Sequence, residues 1–126
     1  MSTNESKEVT FEDIDEITVA KFTCKEISHL ETVDSLLAVF KTKIQSPGCK
    51  YLLIDIGNVE FVSTIAINLL LVILKRIRMK GGEVALCCLT SSVKQVFELM
   101  QLSKLFDIYA DREQAIAALK KAVKSE

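Results

Sequence analysis

Tyr51-Leu52-Leu53-Ile54-Asp55-Ile56-Gly57-Asn58 opens the stretch that decides the fold. Val59-Glu60-Phe61-Val62-Ser63-Thr64 and the apolar run Ile65-Ala66-Ile67-Asn68-Leu69-Leu70-Leu71-Val72-Ile73-Leu74 complete it. The near-continuous apolar segment 51–56 has the pattern of a strand buried on both faces. Gly57-Asn58 breaks it. A helix then begins at Ser63 or Thr64, because a hydroxyl residue at that point can accept from the unpaired amides of the first turn. It stops before Gly81-Gly82, and Glu83–Leu89 reads as the next buried strand. Strand, helix, strand in this order is a crossover unit, which places the two strands parallel and the crossover right-handed.

The pattern extends in both directions. Upstream, Phe11–Asp13 and Ile17–Phe22 form a hairpin around the acidic tip Asp15-Glu16. Ser28-His29-Leu30-Glu31 has capping-box spacing, and Val33, Leu36, Leu37, Phe40 and Ile44 then mark one apolar helix stripe. Pro47-Gly48 is a turn. Downstream, Ser92-Val93-Lys94-Gln95 is a second box-like cap, with Val93, Val96, Phe97 and Met100 on one face. Phe106–Tyr109 is a short strand. Asp111 through Gln114 opens a last helix striped by Ala115, Ile116, Leu119 and Val123. The predicted order is ββαβαβαβα: an α/β fold with a mixed, mostly parallel sheet and four helices. Residues 1–8 read as a disordered tail and 9–124 as a single domain.

Composition narrows the function. With 49% apolar and 26% charged residues, the chain has the balance of an ordinary globular protein. A net charge of −1 supplies no field that would draw it to nucleic acid. The N-terminus carries no apolar leader segment, and the 65–74 run is too short to span a bilayer, so a cytoplasmic location without membrane insertion is expected. Cys24, Cys49, Cys87 and Cys88 form no CxxC pair and read as reduced thiols. The set Cys24, His29 and Cys49 lacks the paired ligands usual for zinc. His29 is the lone histidine and sits in the first turn of a helix, so no nucleophile–base motif emerges. No phosphate-cradling glycine loop occurs either. Asp55 and Glu60 form an isolated acidic pair near a strand end, most simply a solvated loop edge. No catalytic residue, metal site or cofactor is expected.

The helix after Ser63 points elsewhere. At about 100° per residue, Thr64, Asn68 and Lys75 share one side, opposite Ala66, Leu70, Ile73 and Ile77. Ile65, Ile67, Leu71 and Val72 flank the Asn68 stripe. Either a neighbouring element covers these side chains or they form an exposed apolar contact surface.

Residues 52–89, LLIDIGNVEFVSTIAINLLLVILKRIRMKGGEVALCCL, resemble the core of the STAS domain of bacterial anti-sigma factor antagonists. The segment LTSSVKQVFELMQLSKLFDIYADREQAIAAL resembles that family's C-terminal half, and the likeness covers most of residues 9–120. The family's regulatory motif usually reads Asp-Ser-Ser/Thr-Gly-Leu after a Phe-apolar pair. Here Phe61-Val62 precedes Ser63-Thr64-Ile65-Ala66-Ile67. Ser63 stands at the Asp position, Thr64 at the phosphorylatable serine and Ala66 at the glycine. The resemblance implies a non-enzymatic transcription regulator in a signal-transduction pathway. It would bind an anti-sigma factor or serine/threonine kinase of that type through Ser63, Thr64, Ile65, Ile67, Asn68, Leu71 and Val72. The phosphoacceptor would be Thr64, with Ser63 as fallback. The same resemblance also accommodates a non-switching scaffold subunit of an ABC-type lipid transporter or stressosome-like complex, or a ligand-sensing STAS domain.

Overall fold

Alternation along the strands determines how the layers stack. In the computed structural model, which describes residues 8–125, Tyr51–Asp55 (β4) is buried along its whole length. Tyr51 and Leu53 join a cluster with Ala115 and Leu119 of the last helix, while Leu52 and Ile54 join the larger cluster containing Phe40, Leu70 and Phe97. Helices therefore cover both faces of the sheet, which is why the strand reads as continuously apolar.

The order is Val9–Ile14 (β1), Ile17–Phe22 (β2), Glu26–Ile27 (β3), Leu30–Gln45 (α1), β4, Phe61–Val62 (β5), Thr64–Met79 (α2), Glu83–Cys87 (β6), Ser91–Leu99 (α3), Asp107–Tyr109 (β7) and Arg112–Lys124 (α4). A 3₁₀ turn at Leu102–Lys104 links α3 to β7. The main sheet runs β1-β2-β4-β6-β7, with β1 antiparallel to β2 and every other pairing parallel. This matches the predicted α/β order, hairpin and mixed sheet. Sequence reasoning missed β3 and β5, which pair with each other as a separate parallel ladder. Two residues each are too few for a periodic signal.

Backbone packing at Gly82 fixes the α2-to-β6 turn. A Cβ there would lie 1.9 Å from the Lys50 carbonyl oxygen, so only glycine lets β6 start beside β4. Gly81 at φ +78° makes the preceding left-handed turn. The Lys80 ammonium donates to the carbonyls of Ile44, Ser46 and Cys49, satisfying the C-terminal end of α1 where its dipole favours a cation.

Three local expectations shift. The residue at the α1 N-cap is His29, not Ser28, and no side chain caps there. The Ser28 hydroxyl instead meets His29 Nδ1 at 3.3 Å. At the start of α3 the cap is Thr90, not Ser92. Thr90 Oγ1 donates to the Val59 carbonyl at 3.0 Å and accepts from the Val93 amide, which starts the helix earlier and ties it to the loop after β4. The chain also leaves β6 at Cys87, short of Leu89, because Cys88 takes φ +67°. The expected tail at residues 1–8 lies outside the described residues apart from Glu8, whose carbonyl accepts from the Thr23 amide.

Candidate functional site

The β3/β5 ladder sets up the surface around Ser63 and Thr64. Its parallel register pairs Glu26 with Phe61 and Ile27 with Val62. β3 leads into α1 and β5 into α2 within two residues, so the ladder brings the two helix starts to the same edge of the fold. Ser63 completes the junction. Its amide donates to the Ile27 carbonyl at 3.0 Å, its hydroxyl donates to the same oxygen at 3.3 Å, and the hydroxyl accepts from the Ala66 amide.

Ser63 is therefore the N-cap of α2, and Thr64 is the first helical residue. Sequence reasoning left the choice between them open, and geometry resolves it. Ser63 has extended backbone (φ −90°, ψ 172°), as a cap requires. Thr64 is exposed, and its hydroxyl has no hydrogen-bond partner among the described residues. The amides of Thr64 and Ile65 lie in the first turn and have no intrahelical acceptor.

Asn68 and Lys75 share Thr64's exposed side, while Ala66, Leu70, Ile73 and Ile77 are buried, as the helical wheel predicts. The flanking residues divide. Ile65 is exposed, and Leu71 and Val72 are half-buried. Ile67 is 2% exposed and belongs to the core. It drops out of the expected contact surface because it packs into the core cluster that α1 and α2 share. Two large apolar side chains that the helical wheel did not include are exposed: Phe61, 53% exposed, and Leu30 at the start of α1, 60% exposed. Phe61 was legible in principle, since Val62 points inward and strand alternation sends Phe61 outward. Leu30 was not, because only the β3/β5 pairing carries the start of α1 to this edge.

On the opposite face, where α4 packs, the carboxyl end of β4 carries a second polar group. Asp55 is buried, contrary to the solvated loop edge expected for it. Its Oδ2 accepts from Arg112 at 3.0 Å and its Oδ1 from the Gly57 amide at 3.0 Å. Arg112 also donates to Glu12 at 2.8 Å, joining α4 to β1 and β4. The Asp55 hydrogen bond raises the guanidinium pKa further, outweighing partial burial. Glu60 takes no part and is exposed.

The structure does not gather Cys24, His29 and Cys49 into one cluster. Among the described residues, the thiol and carboxylate group that converges is Asp55, Cys87 and Cys88. Burial pushes the thiols of Cys24, Cys49 and Cys87 above their ordinary range. Cys87 moves furthest, with its neighbour Cys88 and the Asp55 charge adding to the effect. His29 is exposed, and its Nδ1 meets the Ser28 hydroxyl on the chain surface.

A parallel-biased sheet of this order, helices on both faces and a hydroxyl-headed α2 define the class. The STAS domain family matches residues 10–115, and the chain belongs to that family. It is similar to BtrV of Bordetella bronchiseptica, named as a candidate anti-sigma factor antagonist. The two are 32% identical over 76 residues, covering 60% of this chain and 66% of that protein. It is also similar to the anti-sigma F factor antagonist of Paenibacillus polymyxa, at 27% identity over 94 residues, covering 75% and 80%. Among solved structures, an anti-sigma-factor antagonist (STAS) domain protein from Planctomyces limnophilus superposes with a TM-score of 0.79 at 23% identity, covering 89% of this chain and 97% of that one. The anti-sigma factor antagonist SpoIIAA in its unphosphorylated form gives 0.69 at 17% identity, covering 89% and 97%. At these identities the structural likeness establishes the fold. No helix among the described residues is long and apolar enough to cross a membrane.

Proposed function

We propose that the chain is a partner-switching regulator of the anti-sigma factor antagonist type, acting in the cytoplasm by protein contact and not by catalysis. Its partner is an anti-sigma factor with serine/threonine kinase activity, docking on the loop before α2 and on the first turns of that helix. The observation that carries this reading is the division of labour between two adjacent hydroxyls. Ser63 holds the helix start, which leaves Thr64 exposed and uncommitted beside Phe61, Ile65 and Leu30. Relatives named as antagonists support the same role.

In the unmodified state the exposed aromatic and aliphatic groups lose water on docking and supply the contact energy. Transfer of the ATP γ-phosphoryl group to Thr64 Oγ1 forms the new P–O bond, breaks the β–γ bridge and releases ADP. The hydroxyl proton passes to a base on the kinase. The product carries nearly two negative charges at pH 7. The unpaired amides of Thr64 and Ile65 and the positive end of the α2 dipole tolerate that charge within this chain. A partner that has desolvated this patch does not. Ser63 retains the capping function that the family's Asp position would serve, so losing the acidic side chain costs the helix start little.

The test uses the purified kinase, ATP and intact-mass measurement. One phosphate on the wild type, none on Thr64→Ala, and at least tenfold weaker kinase binding by Thr64→Glu are expected. No added phosphate together with unchanged binding of Thr64→Glu would sink the switch.

A further inference from the structure

We propose that Asp55, Cys87 and Cys88 form a binding site for a soft divalent cation of the zinc or cadmium type, on the sheet face opposite the Thr64 surface. Their ligand atoms all lie within 4.8 Å of one another. Across a tetrahedral thiolate site the ligand atoms stand roughly 3.5–4 Å apart, given metal–sulfur bonds of about 2.3 Å. Small side-chain rotations therefore close the set around an ion.

Three backbone features build this convergence. The parallel register of β4 and β6 places Asp55 directly opposite Cys87 at the carboxyl ends of both strands. Strand alternation puts Cys87 on the α4 face with Ala85 and Tyr51. A regular strand would then send Cys88 to the other face. Its φ of +67° cancels that alternation, and Cys88 packs against the same cluster as Cys87. The left-handed region favours glycine, asparagine and aspartate, yet the chain has a thiol there.

The chemistry suits a thiophilic ion. Two thiolates with one carboxylate select soft or borderline cations over calcium or magnesium. These ligands carry one negative charge more than a divalent ion supplies, and the Arg112 guanidinium, 3.0 Å from Asp55 Oδ2, cancels it. The carboxylate keeps free lone pairs beyond those used by Arg112 and the Gly57 amide. Binding displaces the two thiol protons to solvent. Cys88 is half-buried while Asp55 and Cys87 are buried, so the ion enters past Cys88, and a water on that side completes the coordination.

Reduced, chelator-treated protein titrated with CdCl2 tests the site. One equivalent should bind with ultraviolet sulfur-to-cadmium charge-transfer absorption, and ZnCl2 should displace it. Cys88→Asn removes the thiol with a residue that tolerates positive φ, and is expected to lose the band and bind more than about a hundredfold more weakly, beyond the range typical of outer-shell changes. Cys87→Ala should do the same, with circular dichroism confirming the fold, whereas Cys24→Ser should bind normally. A wild type without the band overturns the proposal. So does unchanged affinity in Cys88→Asn, or a band that disappears with Cys24→Ser.

Discussion

The edge at Ser63–Thr64 and the cluster at Asp55–Arg112 sit on opposite faces of the fold, and they handle polar groups in opposite ways. At Asp55 each carboxylate oxygen has a donor, the charge is matched by Arg112, and Arg112 is itself shared with Glu12. At Thr64 the hydroxyl, two amides and several apolar side chains are left to solvent. The first arrangement ties β1, β4 and α4 together. Among the described residues, the Thr64 hydroxyl supports no other group, and the Ser63 cap alone holds the helix start. A polar group that the fold leaves open beside exposed apolar area is available to a macromolecular partner, whereas the Asp55–Arg112 pair first of all ties the elements of the fold together.

The sharpest way to break this contrast is Arg112→Met. It strands the Asp55 carboxylate in a buried site and should cost about 2–3 kcal/mol in urea denaturation, below the full value for a buried pair because Arg112 is partly exposed. Partner binding should not change, and a loss of affinity equal to that of a Thr64-edge variant would dissolve the distinction. Phe61→Ala is the converse. Truncating an exposed aromatic anchor should weaken partner binding at least about tenfold, near 1.4 kcal/mol, with no loss of stability. Isothermal titration of the variant against the kinase decides it.

Alkaline pH should act first through the buried thiols, with the raised Tyr109 phenol following at higher pH. Cys87 ionises above its ordinary value of 9.0 only in the folded chain. The unfolded chain loses that proton first, so stability is full below pH 9 and falls as pH rises beyond it. Between pH 9 and 10 the loss from Cys87 is about 1 kcal/mol, because the unfolded thiol is already half ionised at pH 9, and denaturation curves at the two pH values measure it. In Cys87→Ala that component should vanish.

The finest comparison lies between neighbours. Ser63→Ala removes the α2 cap and should lower stability by about 1 kcal/mol. Thr64→Ala should move it by less than about 0.5 kcal/mol, while abolishing phosphate acceptance. Equal destabilisation by both would mean that Thr64 shares the capping role, which contradicts the observed geometry.

Much of this molecule was legible without coordinates. The near-continuous apolar run 51–56 pointed to a strand covered on both faces, because a one-sided sheet would alternate polar and apolar residues. The spacing of Val33, Leu36, Phe40 and Ile44 required one inward helix face, and those four residues are buried. Gly81-Gly82 required a turn. These readings succeed because period and burial are local consequences of side-chain hydrophobicity. The start of α2 could be placed to within one residue, but two adjacent hydroxyls are chemically alike. Only the Ile27 carbonyl, brought in by the β3/β5 ladder, assigns the cap to Ser63 and frees Thr64. Leu30 at the start of α1 is exposed, and Ile67 is buried in the core cluster. Asp55 looked solvated until Arg112, 57 residues away in the chain, was seen to reach it. Periodicity thus determined the elements and their inward faces. Which polar groups are satisfied and which stay open was decided by tertiary structure, because their partners are distant in sequence and carry no local pattern.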